Sequence, residues 1–164
     1  MYQRILAPID GSPSSKQGLA EAVAVARLTG GRLRLVHVIN EPFVAMGLDG
    51  ALSTGADLFQ IVRDAAQAVL ADAMAGVRLA GVDVDGQLLD SFEGRVCDLV
   101  VKAAQDWPAD LIVIGTHGRR GVGRLLLGSD AEQILRLAPV PVLLVRSLDE
   151  AGQRTPGAKA TATA

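Results

Sequence analysis

The sequence predicts an α/β fold: a parallel sheet buried on both faces and covered by helices. Short apolar runs alternate along the chain with longer segments of helical period, and runs that are apolar throughout belong to strands with no solvent face. A length of 164 residues, 49% of them hydrophobic, suits one domain around one core. No segment recurs at a fixed period, so a solenoid or tandem array is not supported.

The elements follow in order. The first strand spans Arg4 to Ile9 and stops at Asp10-Gly11-Ser12-Pro13, where Ser12 can cap a helix whose first position is a proline with no N–H to waste. That helix runs to about Leu28, places Leu19, Ala22, Val23 and Ala26 on one face, and ends at Gly30-Gly31. Arg32 to Ile39 form the second strand. Asn40 to Gly55 lack a period and read as a long loop, a class that is usually functional or mobile. A second helix, Ala56 to Leu79, carries Leu58, Ile61, Val62, Ala65, Val69 and Met74 at helical spacing. The third strand, about Val82 to Leu89, alternates enough to sit at an edge with one face partly wet. Helix three covers about Arg95 to Trp107 and ends at Pro108, with Asp98 and Lys102 four apart as a surface pair. Leu111 to Ile114 are strand four, Ser129 to about Leu137 helix four, and Pro139 to Arg146 strand five.

Composition limits the partners. Sixteen basic against 18 acidic residues give a formal net charge of −2, which argues against nucleic acid and anionic membrane as partners and favours small ones. One cysteine, Cys97, excludes a disulfide framework and a multi-cysteine metal site and points to a reducing compartment, the cytoplasm by default. The apolar run at the N-terminus breaks too early for a signal peptide, and no stretch reaches the ~20 apolar residues of a membrane span. Residues 1–147 form the expected domain, and 148–164, rich in Ala, Thr, Gly and Lys, form an expected disordered tail.

Chemistry is expected where strand order reverses, because open parallel sheets bind ligands at the carboxyl ends of their strands beside that point. The Asp10-Gly11-Ser12 turn closes strand one and the glycine-rich loop from Gly115 to Ser129 closes strand four, so neighbouring strands one and four would face both loops into one crevice. A Walker loop is rejected: Gly118 and Gly123 have the spacing, but Arg124 and Leu125 stand where Lys and Ser or Thr are required. The dinucleotide fingerprint is rejected too, since strand one ends in Asp-Gly-Ser-Pro and Gly121-Val-Gly123 lacks its third glycine.

What remains is Gly115, Gly118, nine intervening residues and then Gly128-Ser129 at a helix start, followed by Ala-Glu-x-Ile-Leu-x-x-Ala-Pro-Val-Pro-Val-Leu-Leu-Val-Arg. This pattern, together with Arg4-Ile-Leu-Ala-Pro-Ile-Asp-Gly-Ser12 and Leu35-Val-His-Val-Ile39, resembles the ATP-binding branch of the universal stress protein family over about residues 2 to 146. The resemblance implies a Rossmann-like sheet of the adenine nucleotide α-hydrolase type, with five parallel strands in the order 3-2-1-4-5. It implies a regulatory protein of the stress response that binds ATP, with Mg2+ held through the phosphates and at most slow hydrolysis. Adenosine would meet Pro8, Asp10 and Val38; the phosphates would meet Gly115, Thr116, Gly118, Arg119, Gly128, Ser129, Asp130 and Ala131. It also implies a homodimer through Val140 to Val145, an apolar run that would otherwise be an exposed edge.

The physics of the loop agrees with a phosphate site, because glycines admit close backbone approach and a helix N-terminus carries about half a positive charge. Valine at Gly115 or Gly128 is therefore expected to abolish binding and spare the fold. Plainer readings compete. Ser129-Asp-Ala-Glu132 also reads as a capping box, and Asp130 would repel phosphate unless it helps hold a cation. His117 reads as an exposed loop residue, His37 as a packed histidine, Cys97 as a small core residue, and Arg119, Arg120 and Arg124 as solubilising charge or an anion patch. No trio reads as nucleophile, base and orienter, and the His-x-Gly-His and Ser-Gly-Gly strings of related nucleotidyl-transfer enzymes do not occur. The alternative function is a dimeric interaction module of the same fold that binds no nucleotide.

Overall fold

The computed structural model describes residues 1–39, 55–91, 94–116 and 128–146. Five strands, β1 (Arg4–Ile9), β2 (Arg32–Ile39), β3 (Val84–Asp90), β4 (Leu111–Gly115) and β5 (Val142–Val145), form one sheet in the order β3-β2-β1-β4-β5. Every pairing is parallel. The helices among the described residues are α1 (Pro13–Thr29), α2 (Gly55–Leu79), α3 (Val96–Asp106) and α4 (Ser129–Leu137). The chain winds outward from β1 to β3 and then crosses to β4 on the other side, so strand order reverses between β1 and β4 as the sequence predicts.

Alternation along the central strands divides the core into two layers. Ile5, Ala7, Ile9, Leu33, Leu35, Leu111 and Val113 point to one face, where Ala22 and Ala26 of α1 and Leu70 and Val77 of α2 cover them. Leu6, Val36, Ile112 and Ile114 point to the other, beneath Cys97, Val100, Ala103 and Ala104 of α3 and Ala131 and Ile134 of α4. His37 lies inside β2 at 2% exposure, a packed residue rather than an open ligand.

Local chemistry sets the boundaries of α1. Ser12 is its N-cap, the Ser15 N–H donating to the Ser12 hydroxyl oxygen at 3.2 Å, and Pro13 takes the first helical position. At the other end Gly30 adopts φ 66° and sends its N–H to the Ala26 carbonyl. Asp110 ties the start of β1 to β4, its carboxylate accepting the N–H groups of Gln3 at 2.8 Å and Arg4 at 3.0 Å. Below the sheet, Trp107 is buried with the guanidinium groups of Arg32 and Arg34 at 5.3 and 4.9 Å from its ring centroid. Arg34 also makes a two-point ion pair with Asp85, at 2.6 and 2.8 Å, which fixes its plane.

Two expectations fail. The buried stripe of α2 runs through Ala66, Leu70 and Val77 with Ala73 and Met74 beside it, whereas Ile61 is 55% exposed and Ala65 lies outward. The abundance of alanine on this helix blurs the period, and position against the sheet decides the face. Asp98 does not pair with Lys102: Asp98 takes Arg95 at 2.8 Å and Lys102 takes Asp106 at 2.6 Å. Each has an alternative three or four residues away, and at such exposed positions the choice between them is worth little. The loop from Asn40, most of the loop between Gly115 and Ser129, and the tail from 148 lie outside the described residues.

A Cβ added at Gly30 would meet no atom within 4 Å, so substitution there tests backbone conformation without a clash. Gly30→Ala should lower stability by about 1 kcal/mol and Gly30→Asn by less, measured as a shift in urea midpoint at unchanged slope.

Candidate functional site

The site begins with a proline in the middle of the central strand. The Gln3 carbonyl accepts from Arg32 N and the Arg4 carbonyl from Asp110 N, so odd-numbered backbone groups of β1 face β2 and even-numbered ones face β4. Pro8 is even, and the N–H it lacks belongs to the β4 side. Accordingly, β1 pairs with β2 through Ile9↔His37 but with β4 only at Ile5↔Leu111 and Leu6↔Ile112. The β1–β4 ladder ends at Leu6↔Ile112, at the reversal of strand order.

Pro8, Asp10 and Val38 lie on the α3 and α4 face by the same alternation, all three half-buried. Asp10 is held by turn chemistry: its carboxylate accepts the Ser12 N–H at 2.9 Å, and its own N–H donates to the Ser15 hydroxyl at 3.1 Å. The carboxylate is thereby fixed at the crevice, so the turn role and a ligand role are compatible.

On the other side, Thr116 joins three elements. Its N–H donates to the Val145 carbonyl at 2.9 Å and its carbonyl accepts the Gly128 N–H at 2.8 Å. The N-terminus of α4 is therefore pinned beside the end of β4. Gly128 is the N-cap of α4, with no side-chain cap bond, and Ser129 is the first helical residue. The capping box with Ser129 as cap is therefore not formed, because the helix starts one residue earlier than that motif requires. Ser129 and Asp130 are exposed. Ala131 is 4% exposed with its methyl in the core, which leaves only its backbone N–H for a ligand.

This arrangement fits an anionic ligand at α4: an N-terminus without a side-chain cap, preceded by a glycine and followed by a serine, presents N–H groups and a partial positive charge. Asp130 and Glu132 in the first turn oppose it. Among the described residues, no group of three or more His, Cys, Asp or Glu side chains could hold a metal ion. Gly118, Arg119, His117, Arg120 and Arg124 lie outside the described residues.

Behind the site, Arg95 bonds Asp98 at 2.8 and 3.0 Å and reaches Gln133 of α4 at 3.1 Å, while the Cys97 thiol donates to the same Gln133 oxygen at 3.3 Å. These bonds bind α3 to α4. Burial pushes the Cys97 thiol up, Asp98 adding in the same direction, and Arg95 holds the Asp98 carboxyl below its usual range.

The expectation that valine at Gly115 would spare the fold needs correction. A Cβ there would run into the backbone and hydroxyl of Ser14 in the first turn of α1. Its lack of a side chain serves the packing of α1, so valine would not spare the fold. Ser14 and Gly18, on the α1 side of this contact, were not among the predicted positions; their four-residue spacing with Ala22 and Ala26 was the available signal.

A parallel sheet whose strand order reverses between β1 and β4, covered by helices on both faces, defines a doubly wound α/β fold. Residues 1–146 match the universal stress protein family, and the chain belongs to that family. It is 38% identical over 153 residues to a universal stress protein of Thermus aquaticus, covering 89% of this chain and all of the relative. The solved structure of protein MJ0577 superposes with a TM-score of 0.79 at 25% identity, over 92% of this chain and 99% of that one. A universal stress protein of Archaeoglobus fulgidus, solved in complex with dAMP, superposes with a TM-score of 0.61 at 25% identity, over 88% and 98%.

Two outcomes are expected. Gly115→Val should lose at least about 2 kcal/mol of stability through overpacking against Ser14, seen in urea unfolding without any ligand. Cys97 in native protein should react with a thiol reagent at pH 8 only as fast as the protein opens, so added urea should accelerate labelling in parallel with unfolding.

Proposed function

We propose that this protein is an ATP-binding regulator of the stress response, acting through nucleotide-dependent changes in conformation or partner. The observation that carries the proposal is the early end of the β1–β4 ladder at Leu6↔Ile112, with the fixed Asp10 turn on one side and the Thr116-anchored start of α4 on the other. Adenosine would lie toward Pro8, Asp10 and Val38. The phosphates would lie toward Thr116, Gly128 and Ser129, with Gly118 and Arg119 of the intervening loop completing their surroundings. The dAMP complex of the Archaeoglobus fulgidus relative supports an adenine nucleotide as the ligand class.

The chemistry expected of these residues is binding. Backbone N–H groups at the start of α4 would neutralise phosphate charge, and Mg2+ would enter with the triphosphate rather than on a protein cage. With no base and orienter beside a nucleophile in the sequence, hydrolysis is expected to be slow at most. A cytoplasmic setting accords with the single cysteine, and no described helix is long and apolar enough to cross a membrane.

A homodimer through β5 accompanies this reading. The four residues of β5 are half-buried, among the described residues the strand has only β4 as a neighbour, and α4, which leads into it, leaves Leu135 and Leu137 44% and 48% exposed. A second copy adding its own β5 would cover that edge. Sedimentation should give twice the 17.0 kDa chain mass at micromolar concentration; a monomer would contradict the dimer.

Equilibrium dialysis against ATP tests the binding directly, and folded protein that takes up none at millimolar nucleotide would refute it. Asp130→Asn removes an exposed charge beside the proposed phosphates. It should tighten ATP binding about threefold at low salt and by less at 0.5 M salt, where the Debye length is only a few ångströms.

A further inference from the structure

Ser14, Gly18, Ala22 and Ala26 recur every four residues along α1, and all four are buried. They form a face of small side chains by which α1 lies on the sheet, and its first two turns meet the end of β4. A Cβ built on Gly18 would stand 2.9 Å from the Gly115 nitrogen, and one built on Gly115 would lie 2.6 Å from the Ser14 carbonyl carbon. Both obstacles are backbone, which cannot rotate aside. Neither glycine has a positive φ, so space and not conformational freedom requires glycine here.

The same turn of α1 controls the other half of the crevice. The Ser15 hydroxyl accepts the Asp10 N–H and the Ser12 hydroxyl accepts the Ser15 N–H, so Asp10 moves with the start of α1. On the far side, Gly115 is followed directly by Thr116, which anchors α4. The β1–β4 ladder ends at Leu6↔Ile112, four residues short of both Asp10 and Thr116, so strand pairing does not extend to these halves.

We propose that the contact of Ser14 and Gly18 with Gly115 is the spacer that fixes the separation of the adenosine and phosphate halves of the site. Gly18 and Gly115 are then positioning residues for a ligand that spans both. The inference rests on the nucleotide reading above. Thickening the spacer leaves each half intact but misplaces one against the other, so a ligand held by one half is spared and a ligand held by both is not.

The test compares adenosine with ATP on Gly18→Ala, with Ala26→Gly as a control that perturbs the same helix face at its far end. Circular dichroism and thermal melts verify folding. Gly18→Ala should bind adenosine within twofold of the unaltered protein and ATP at least tenfold more weakly, whereas Ala26→Gly should melt lower with the ATP-to-adenosine affinity ratio unchanged. An unchanged ratio in Gly18→Ala, or an equal loss in Ala26→Gly, overturns the spacer. If Gly18→Ala does not fold, Ser14→Ala takes its place, trimming the side chain that faces Gly115; its ratio should fall at least threefold, and an unchanged ratio is again fatal. Unaltered protein that binds neither adenosine nor ATP overturns the nucleotide reading and the spacer together.

Discussion

β1 shares its backbone hydrogen bonds unequally: with β2 through Ile9, but with β4 only as far as Leu6. Pro8 withholds the N–H that the next rung toward β4 would need, in the one strand of the sheet where the loss falls at the reversal of strand order. A parallel sheet is otherwise a continuous ladder, with no opening except above its strand ends. Here the ladder stops early between the two strands whose following turns carry Asp10 and Thr116. The geometry of the candidate site depends on that interruption.

Among the described residues, hydrogen bonds tie each element beside the interruption. Asp10 is fixed by Ser12 and Ser15, Thr116 by Val145 and Gly128, and the α3–α4 pair by Arg95, Cys97 and Gln133. The two helix layers reinforce this division. The α1 and α2 layer reaches the site through small residues that allow backbone contact at Gly115, while the α3 and α4 layer reaches it through the N-terminus of α4. Membership of the universal stress protein family gives this construction a place among known proteins. The chain's own residues tie the Asp10 turn and the start of α4, distant in sequence, to the ends of β1 and β4.

Fold class and element positions were legible in the sequence because they rest on local signals, while strand order followed from the family resemblance. Apolar runs, the Ser12-Pro13 start and the Gly30 stop of α1 each act within a few residues. The reversal between β1 and β4 was legible as well, since right-handed crossovers and the family resemblance both require it. The buried face of α2 was misread, because a helix rich in alanine has a weak period and only contact with the sheet selects one side. The choice of Arg95 over Lys102 as the partner of Asp98 was illegible for a similar reason, two near-equal neighbours being available on one helix.

The sequence by itself placed Asp10, Thr116, Gly128 and Ser129 at strand ends and a helix start, because turn and cap chemistry is written in adjacent residues. It expected valine at Gly115 to spare the fold, and tertiary structure put Ser14 of α1, just over a hundred positions away, where that side chain would have to go. It left Ser129 between a phosphate role and a cap role, and the structure puts the cap of α4 one residue sooner, at Gly128, whose N–H donates to Thr116. It could not express the direction of the N–H that Pro8 lacks, since that depends on which strand lies on which side. In each case the deciding contact joins residues far apart along the chain, and such contacts exist only once the sheet has brought them together.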